Sequence, residues 1–203
     1  MSGAEMFIVA GPPGAGKSKN FPLVELARRI FNADDRAAEI NGGSYRSIPL
    51  EVRRQVNREF ETFVEANIAN GTSFALETTL RSTVTFEQAR MAKSVGFRVS
   101  MTYVALDSFE SHLARVTIRA RIGDHSASES TLRSIYQSSL ANLPAAPDPT
   151  NSRIDDIQIY DNTAFNQPPR LVLESVNGLI TREAENFPAW LRTALNRTDA
   201  SGS

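Results

Sequence analysis

Residues 11–18 read Gly11, Pro12, Pro13, Gly14, Ala15, Gly16, Lys17, Ser18 and follow directly on the apolar run 6–10. This is the G-x-x-x-x-G-K-[ST] spacing of a phosphate-binding loop, and each residue type in it has a task. Glycines let backbone N–H groups curl around phosphate oxygens, the Lys17 ammonium meets the β and γ groups, and the Ser18 hydroxyl is offered to a magnesium ion. The ligand this predicts is ATP with Mg²⁺.

The other residues able to do chemistry fall where strands are expected to end. Asp34 and Asp35 come just after a second predicted strand. A carboxylate there can take the proton of a substrate hydroxyl as it attacks the γ-phosphorus. Asp34 is the predicted base; the alternative is that both aspartates only shape the next turn. Glu77, Thr78 and Thr79 end the third strand and suit recognition of a polar substrate, although a carboxylate on a buried strand also fits an ion pair with an arginine. Asp107 ends the fourth, where it would touch the metal's water shell or cap a helix. Arg119 and Arg133 sit on two predicted helices either side of Gly123-Asp124-His125. Such a pair can close over a nucleotide and neutralise charge on the transferred group, although arginines on helices usually form a solvated face. Tyr45 and Arg46, in the loop before a long helix, read equally as acceptor-pocket residues and as surface. His125 is expected at the hinge or a phosphate, His112 on a helix surface, and Trp190 in core or edge packing.

The elements that must position these groups alternate along the chain. Strand-like runs occur at 6–10, around 29–32, and at 73–76, 98–105, 157–160 and 170–174. Helical periodicity follows the phosphate loop over 17–30, with Phe21, Val24, Leu26, Ala27 and Ile30 on one face and a bend or restart expected at Pro22. It returns over 51–70, 83–95, 108–122, 130–143 and 181–195. Strands alternating with helices behind a phosphate loop predict an α/β fold of the P-loop NTPase kind: a mostly parallel sheet of about five or six strands, helices on both faces, and a helical arginine-bearing lid over about 115–143. Ligands of such sheets lie at the carboxyl ends of the strands. Residues 144–151 read as a loop, and the domain is expected to span 1–198 with a flexible tail at 199–203.

Composition narrows the class further. The chain has 203 residues, 41% of them hydrophobic, enough for one core and too few for two comfortable domains. No run approaches the roughly 18 to 20 apolar residues of a membrane span, and no basic-then-apolar leader opens the chain, so a soluble, cytoplasmic protein is expected. With no cysteine and two histidines, disulfides are excluded and a transition-metal site has few ligands to draw on. A net charge of −1 offers no general attraction to nucleic acid or a membrane surface.

Five segments together carry a family resemblance: the phosphate loop, Asn-x-Asp at 32–34, Glu-Thr-Thr-Leu at 77–80, Arg-Val-x-x-Arg-x-x-x-Gly-x-His at 115–125, and Ile-Tyr-Asp-Asn at 159–162. The chain resembles the zeta-toxin-like kinases. The resemblance implies the nucleotide-kinase-like form of the P-loop fold and an ATP-dependent kinase that phosphorylates the 3′-hydroxyl of UDP-N-acetylglucosamine, as the toxin of a toxin–antitoxin pair with a protein antitoxin as partner. It implies Lys17 and Ser18 on phosphate and Mg²⁺, Asp34 as base, Glu77 and Thr78 on the sugar nucleotide, Arg119 and Arg133 on the γ-phosphate, and Asp161 and Asn162 near the adenine. The chain departs from many members in having Gly123-Asp124-His125 for Gly-Gly-His, in the placement of Arg133, and in its compactness. A 5′-hydroxyl polynucleotide kinase, another small-metabolite kinase, and a non-catalytic nucleotide switch are the alternatives; the first would need a broader basic surface.

Overall fold

The computed structural model describes residues 3–121, 127–147 and 153–196. Its centre is a seven-stranded sheet in the order β2-β3-β1-β4-β5-β6-β7. The buried strand β1 (Glu5–Ala10) lies between β3 (Phe74–Thr78) and β4 (Arg98–Ala105), parallel to both. Short β2 (Arg29–Phe31) flanks β3, and β5 (Asp156–Asp161) extends the parallel set beyond β4. Alternation along β1 assigns its residues to opposite faces. Met6, Ile8 and Ala10 enter the large core with Phe74, Leu76, Phe86, Tyr103 and Leu191, whereas Val9 packs with Ala75 and Leu23 on the other side.

The large core is roofed by α3 (Leu50–Ala69) and α4 (Val84–Ser94), by the end of α6 (Glu129–Asn142), and by α7 (Ala189–Ala194). Trp190 is a core residue, buried against that face. The helix pair expected near 115–143 is α5 (Phe109–Arg121) with α6, joined through residues outside the described set; His125 is among those. The 199–203 tail lies outside it too, as do residues 148–151 of the 144–151 loop, whose start forms a single 3₁₀ turn at Leu143–Ala145.

Two expectations are corrected. The helix after the phosphate loop is one turn, α1 (Lys17–Asn20), and the chain restarts as a 3₁₀ turn at Leu23–Glu25 behind Pro22. Pro22 has no N–H to continue the α-helical ladder, so the stop comes where its chemistry puts it. The second correction is at 181–195, where a helix was expected. A seventh strand, β7 (Leu179–Glu183), pairs antiparallel with β6 (Arg170–Val176), itself antiparallel to β5, and only Ala189–Ala194 is helical. The cause is the turn Asn177-Gly178, whose φ values of 50° and 78° are both positive. A two-residue hairpin needs that pair, and Asn-Gly supplies it at low cost.

Candidate active site

Register brings the chemistry to one edge of the sheet. Ala10 stands opposite Thr78 and Tyr103, Phe31 opposite Leu76, and Ala105 opposite Asp161. The residues after each strand, 11–18, 32–35, 77–80, 107 and 162, therefore share the carboxyl end of the parallel set, where such folds bind ligands. The phosphate loop is pressed against its neighbours. A Cβ on Gly11 would lie 2.0 Å from the Val104 carbonyl oxygen, and one on Gly14 would lie 2.6 Å from that of His112. Positive φ values of 138° and 80° at these two positions add a second reason for glycine.

At the loop's end three side chains converge. Lys17, 7% exposed, donates to the Gly11 carbonyl at 2.8 Å and the Pro12 carbonyl at 3.3 Å, and its Nζ lies 3.6 Å from Glu77 Oε1. The other oxygen, Glu77 Oε2, accepts from the Ser18 hydroxyl at 2.7 Å. Glu77 thus has an ionic partner, a lysine of the loop rather than an arginine. Burial pushes the Lys17 ammonium below its ordinary value; Glu77 and Asp34 oppose this, and Arg119 adds to it. The charges of Asp34 and Arg119 thus both reach Lys17, in opposite senses.

Asp34 and Asp35 begin α2 (Ala33–Ile40), whose N-cap is Asn32: its Oδ1 accepts from the Asp34 and Asp35 N–H groups. The two aspartates then differ. Asp35 Oδ1 accepts from the Tyr45 hydroxyl at 2.8 Å, whereas the exposed Asp34 carboxylate accepts no hydrogen bond among the described residues. Tyr45 serves that aspartate, and Arg46 donates to the Ala120 carbonyl at 3.0 Å, tying the loop before α3 to the far end of α5. Thr78 is committed locally, accepting from the Leu80 N–H at 3.1 Å, where the chain turns sharply through a φ of 55° at Leu80. Thr79 is half-buried beside it.

Other expected residues take different positions. Arg133 stacks over the Phe109 ring at 4.0 Å and pairs with Glu129 at 3.1 Å and Glu110 at 3.8 Å, a cluster confined to α5 and α6. The Asp161 carboxylate is occupied by Thr163 and by Arg170. Asp107 is exposed, its N–H donating to Thr163 at 2.9 Å. Asn162 is buried and donates to the Ala15 carbonyl at 2.8 Å, so it braces the phosphate loop from behind.

Two residues of the site were not anticipated. Arg115 Nη2 donates to the Asn162 carbonyl at 2.7 Å, which locks that brace. His112, expected on the surface, is 2% exposed and bonded at both ring nitrogens, to Leu106 N–H and to the Pro13 carbonyl. The reason is its position on the inward stripe of α5 with Phe109, Leu113 and Val116, a period that should have marked it as buried.

The donor set fits a hard divalent cation only in part. A hydroxyl and a carboxylate oxygen meet at Ser18 and Glu77, and no cluster of three or more acidic, histidine or cysteine residues exists among the described residues. This is the sparse protein contribution expected of Mg²⁺, which draws its remaining ligands from phosphates and water.

The Zeta toxin family model matches residues 4–166. The chain belongs to that family, and its fold is that of the P-loop kinases. It is similar to an uncharacterized protein of Haemophilus influenzae, 26% identical over 130 residues, covering 62% of this chain and 88% of the relative. Among solved structures, the crystal structure of AvrRxo1-ORF1:-ORF2 with ATP matches with a TM-score of 0.71 at 16% identity, over 99% of this chain and 66% of that one. The PezAT chromosomal toxin–antitoxin system of Streptococcus pneumoniae matches with a TM-score of 0.65 at 16% identity, over 99% and 82%. The chain thus spans about two thirds of the AvrRxo1 chain it resembles. No helix among the described residues is long and apolar enough to cross a membrane.

Proposed function

We propose that this member of the zeta toxin family transfers the γ-phosphoryl group of ATP to a hydroxyl of a nucleotide sugar, with the 3′-hydroxyl of UDP-N-acetylglucosamine the first acceptor to test. The observation that carries the reading is the convergence of Lys17, Ser18 and Glu77, with Asp34 acting electrostatically on the same lysine. A loop lysine already poised against a carboxylate exchanges that partner for phosphate when nucleotide enters. Asp34, with its lone pairs open, takes the proton of the acceptor hydroxyl. The hydroxyl oxygen then bonds to the γ-phosphorus, the bond to the β–γ bridging oxygen breaks, and ADP leaves with that electron pair.

Ser18 and Glu77 would hold magnesium, which supplies charge neutralisation on the β and γ oxygens when bound. Arg119 adds positive charge on the nucleotide side; Arg133 would have to leave Glu110 and Glu129 to join it. Thr79 and the loop bearing Tyr45 and Arg46 flank the acceptor side, and Asn162 supports ATP binding through the loop backbone. A protein antitoxin is the partner that the PezAT likeness suggests.

The test is ATP consumption with Mg²⁺ against UDP-N-acetylglucosamine, other nucleotide sugars and 5′-hydroxyl oligonucleotides, with the product identified by mass. A phosphorylated nucleotide sugar, lost in Asp34→Asn, is expected. Phosphate on an oligonucleotide would replace the acceptor assignment, and nucleotide binding without turnover on any acceptor would leave a switch.

A further inference from the structure

One imidazole joins four elements of this molecule. The Leu106 N–H, at the exit of β4, donates to His112 Nε2 at 3.0 Å. That nitrogen is therefore unprotonated, so Nδ1 carries the proton and donates to the Pro13 carbonyl at 2.8 Å. His112 itself lies on α5, and its ring packs against Tyr136 of α6 with centroids 5.2 Å apart. Here a helix of the lid is hydrogen-bonded to the second proline of the phosphate loop.

The consequence lies in the peptide that follows. Pro12 and Pro13 have no N–H to offer a phosphate, so the first loop donors after Gly11 are the N–H groups of Gly14 and the residues behind it. The Pro13 carbonyl and the Gly14 N–H belong to one planar trans peptide and point in opposite directions. Fixing that carbonyl on the imidazole fixes the Gly14 N–H pointing away from α5. The Ala15 N–H donates to the Pro12 carbonyl at 3.2 Å and closes a turn around this peptide, but that bond is compatible with either orientation of the central peptide, and Gly14, with a φ of 80° and no side chain, does not oppose the flip; the imidazole bond does.

We propose that His112 is a positioning residue for nucleotide binding: its neutral, Nδ1-protonated ring holds the Pro13–Gly14 peptide in the orientation that presents the Gly14 N–H to phosphate. The same bond passes the position of α5 to the loop, so that ordering of the helix pair and grip on the nucleotide are one event. The inference rests on the phosphate-transfer reading of the site and adds to it a residue outside the loop motif.

Asparagine and glutamine separate the two bonds. An Asn amide reaches the place of Nδ1 and can still donate to Pro13; a Gln amide reaches the place of Nε2 and can only serve Leu106. Binding of ATP without magnesium is measured by calorimetry, with melting temperatures taken without nucleotide. The expected result is a dissociation constant raised about tenfold in His112→Gln, against a change under about threefold in His112→Asn, the worth of one peptide-orienting hydrogen bond. Equal affinities in the two variants, or losses that follow only their melting temperatures, would overturn the inference.

A measurement on the wild type stands even where a variant fails to fold. Nitrogen-15 NMR of the His112 ring should show Nδ1 protonated and Nε2 bare, with the Nδ1 signal moving when ADP is added. The opposite tautomer, an imidazolium, or a signal indifferent to ADP would overturn it. A wild-type chain that binds neither ATP nor ADP would remove the phosphate-transfer reading as well, whereas failure confined to the Asn and Gln comparison removes only the role of His112.

Discussion

Glu77→Gln isolates the ion pair at the centre of the site, because the substitution keeps the shape of the side chain and an oxygen for Ser18 while removing the charge. Lys17 Nζ stands 3.6 Å from Glu77 Oε1, with side chains 7% and 13% exposed. Removing one partner of a fully buried pair costs about 3–5 kcal/mol. Here Lys17 retains the Gly11 and Pro12 carbonyls. The loss should thus be smaller, about 2 kcal/mol, which for a chain of this size lowers the melting temperature by about 4–8 °C. A double-mutant cycle with Lys17→Met tests the assignment, since the coupling should return about the same 2 kcal/mol; a coupling below about 0.5 kcal/mol would refute it. Nucleotide binding gives a second, oppositely signed readout. Without magnesium, the variant should bind ATP more tightly than the wild type, because a negative charge beside the phosphates is gone. With magnesium the wild type should gain affinity and the variant should not. Unchanged magnesium dependence would remove Glu77 from the metal's side of the site.

Lys17→Ala should abolish turnover and weaken ATP binding, read by calorimetry and by ATP consumption. Asp34→Asn should leave the ATP dissociation constant near the wild-type value while cutting kcat by about a hundredfold or more; turnover within threefold of the wild type would exclude Asp34 as base. Gly11→Ala places a methyl 2.0 Å from the Val104 carbonyl and should prevent stable folding, judged by thermal melting of the purified chain. His112 predicts a pH dependence. Burial lowers its pKa from 6.5 to about 4, with Lys17 and Arg115 adding to the effect and the Pro13 carbonyl and Asp107 opposing it. As pH falls the unfolded chain takes up this proton first, so the contribution to stability is whole above about 6.5 and is lost progressively down to about 4. At 1.36 kcal/mol per pH unit it amounts to about 3 kcal/mol. The stability difference between wild type and His112→Asn should shift against the wild type by that order between pH 7 and 4, and a difference flat with pH would contradict the buried neutral ring.

What could be read from the chain divides along physical lines. The phosphate loop, the parallel core strands and the break at Pro22 are local: glycine and lysine spacing, apolar runs and a missing N–H act within a few residues. The hairpin after β6 is equally local: Asn177-Gly178 favours the positive φ values of a two-residue turn, and that turn chemistry outweighs the helical periodicity over 181–195. His112 departs from the surface expectation for a related reason. A titratable side chain invites a surface reading, although Phe109, Leu113 and Val116 mark its helix face as the buried one.

The pairings that make the site a site are of another kind. Asn162 reaches Ala15 across 147 residues and Glu77 reaches Ser18 across 59, contacts that exist only because β3 and β5 end level with β1 and its loop. A motif can name a strand-end carboxylate, but it cannot say whether that carboxylate will meet a substrate, an arginine or the loop lysine, because all three lie within reach of the same sheet edge. Register decides between them. Lys17, lacking water, is the cation with most to gain from the charge, and the structure gives it Glu77 while Arg115 and Arg133 find partners elsewhere. The same accounting leaves Asp34 as the carboxylate at that edge whose oxygens no neighbour has claimed among the described residues, as a proton acceptor for an incoming hydroxyl must be.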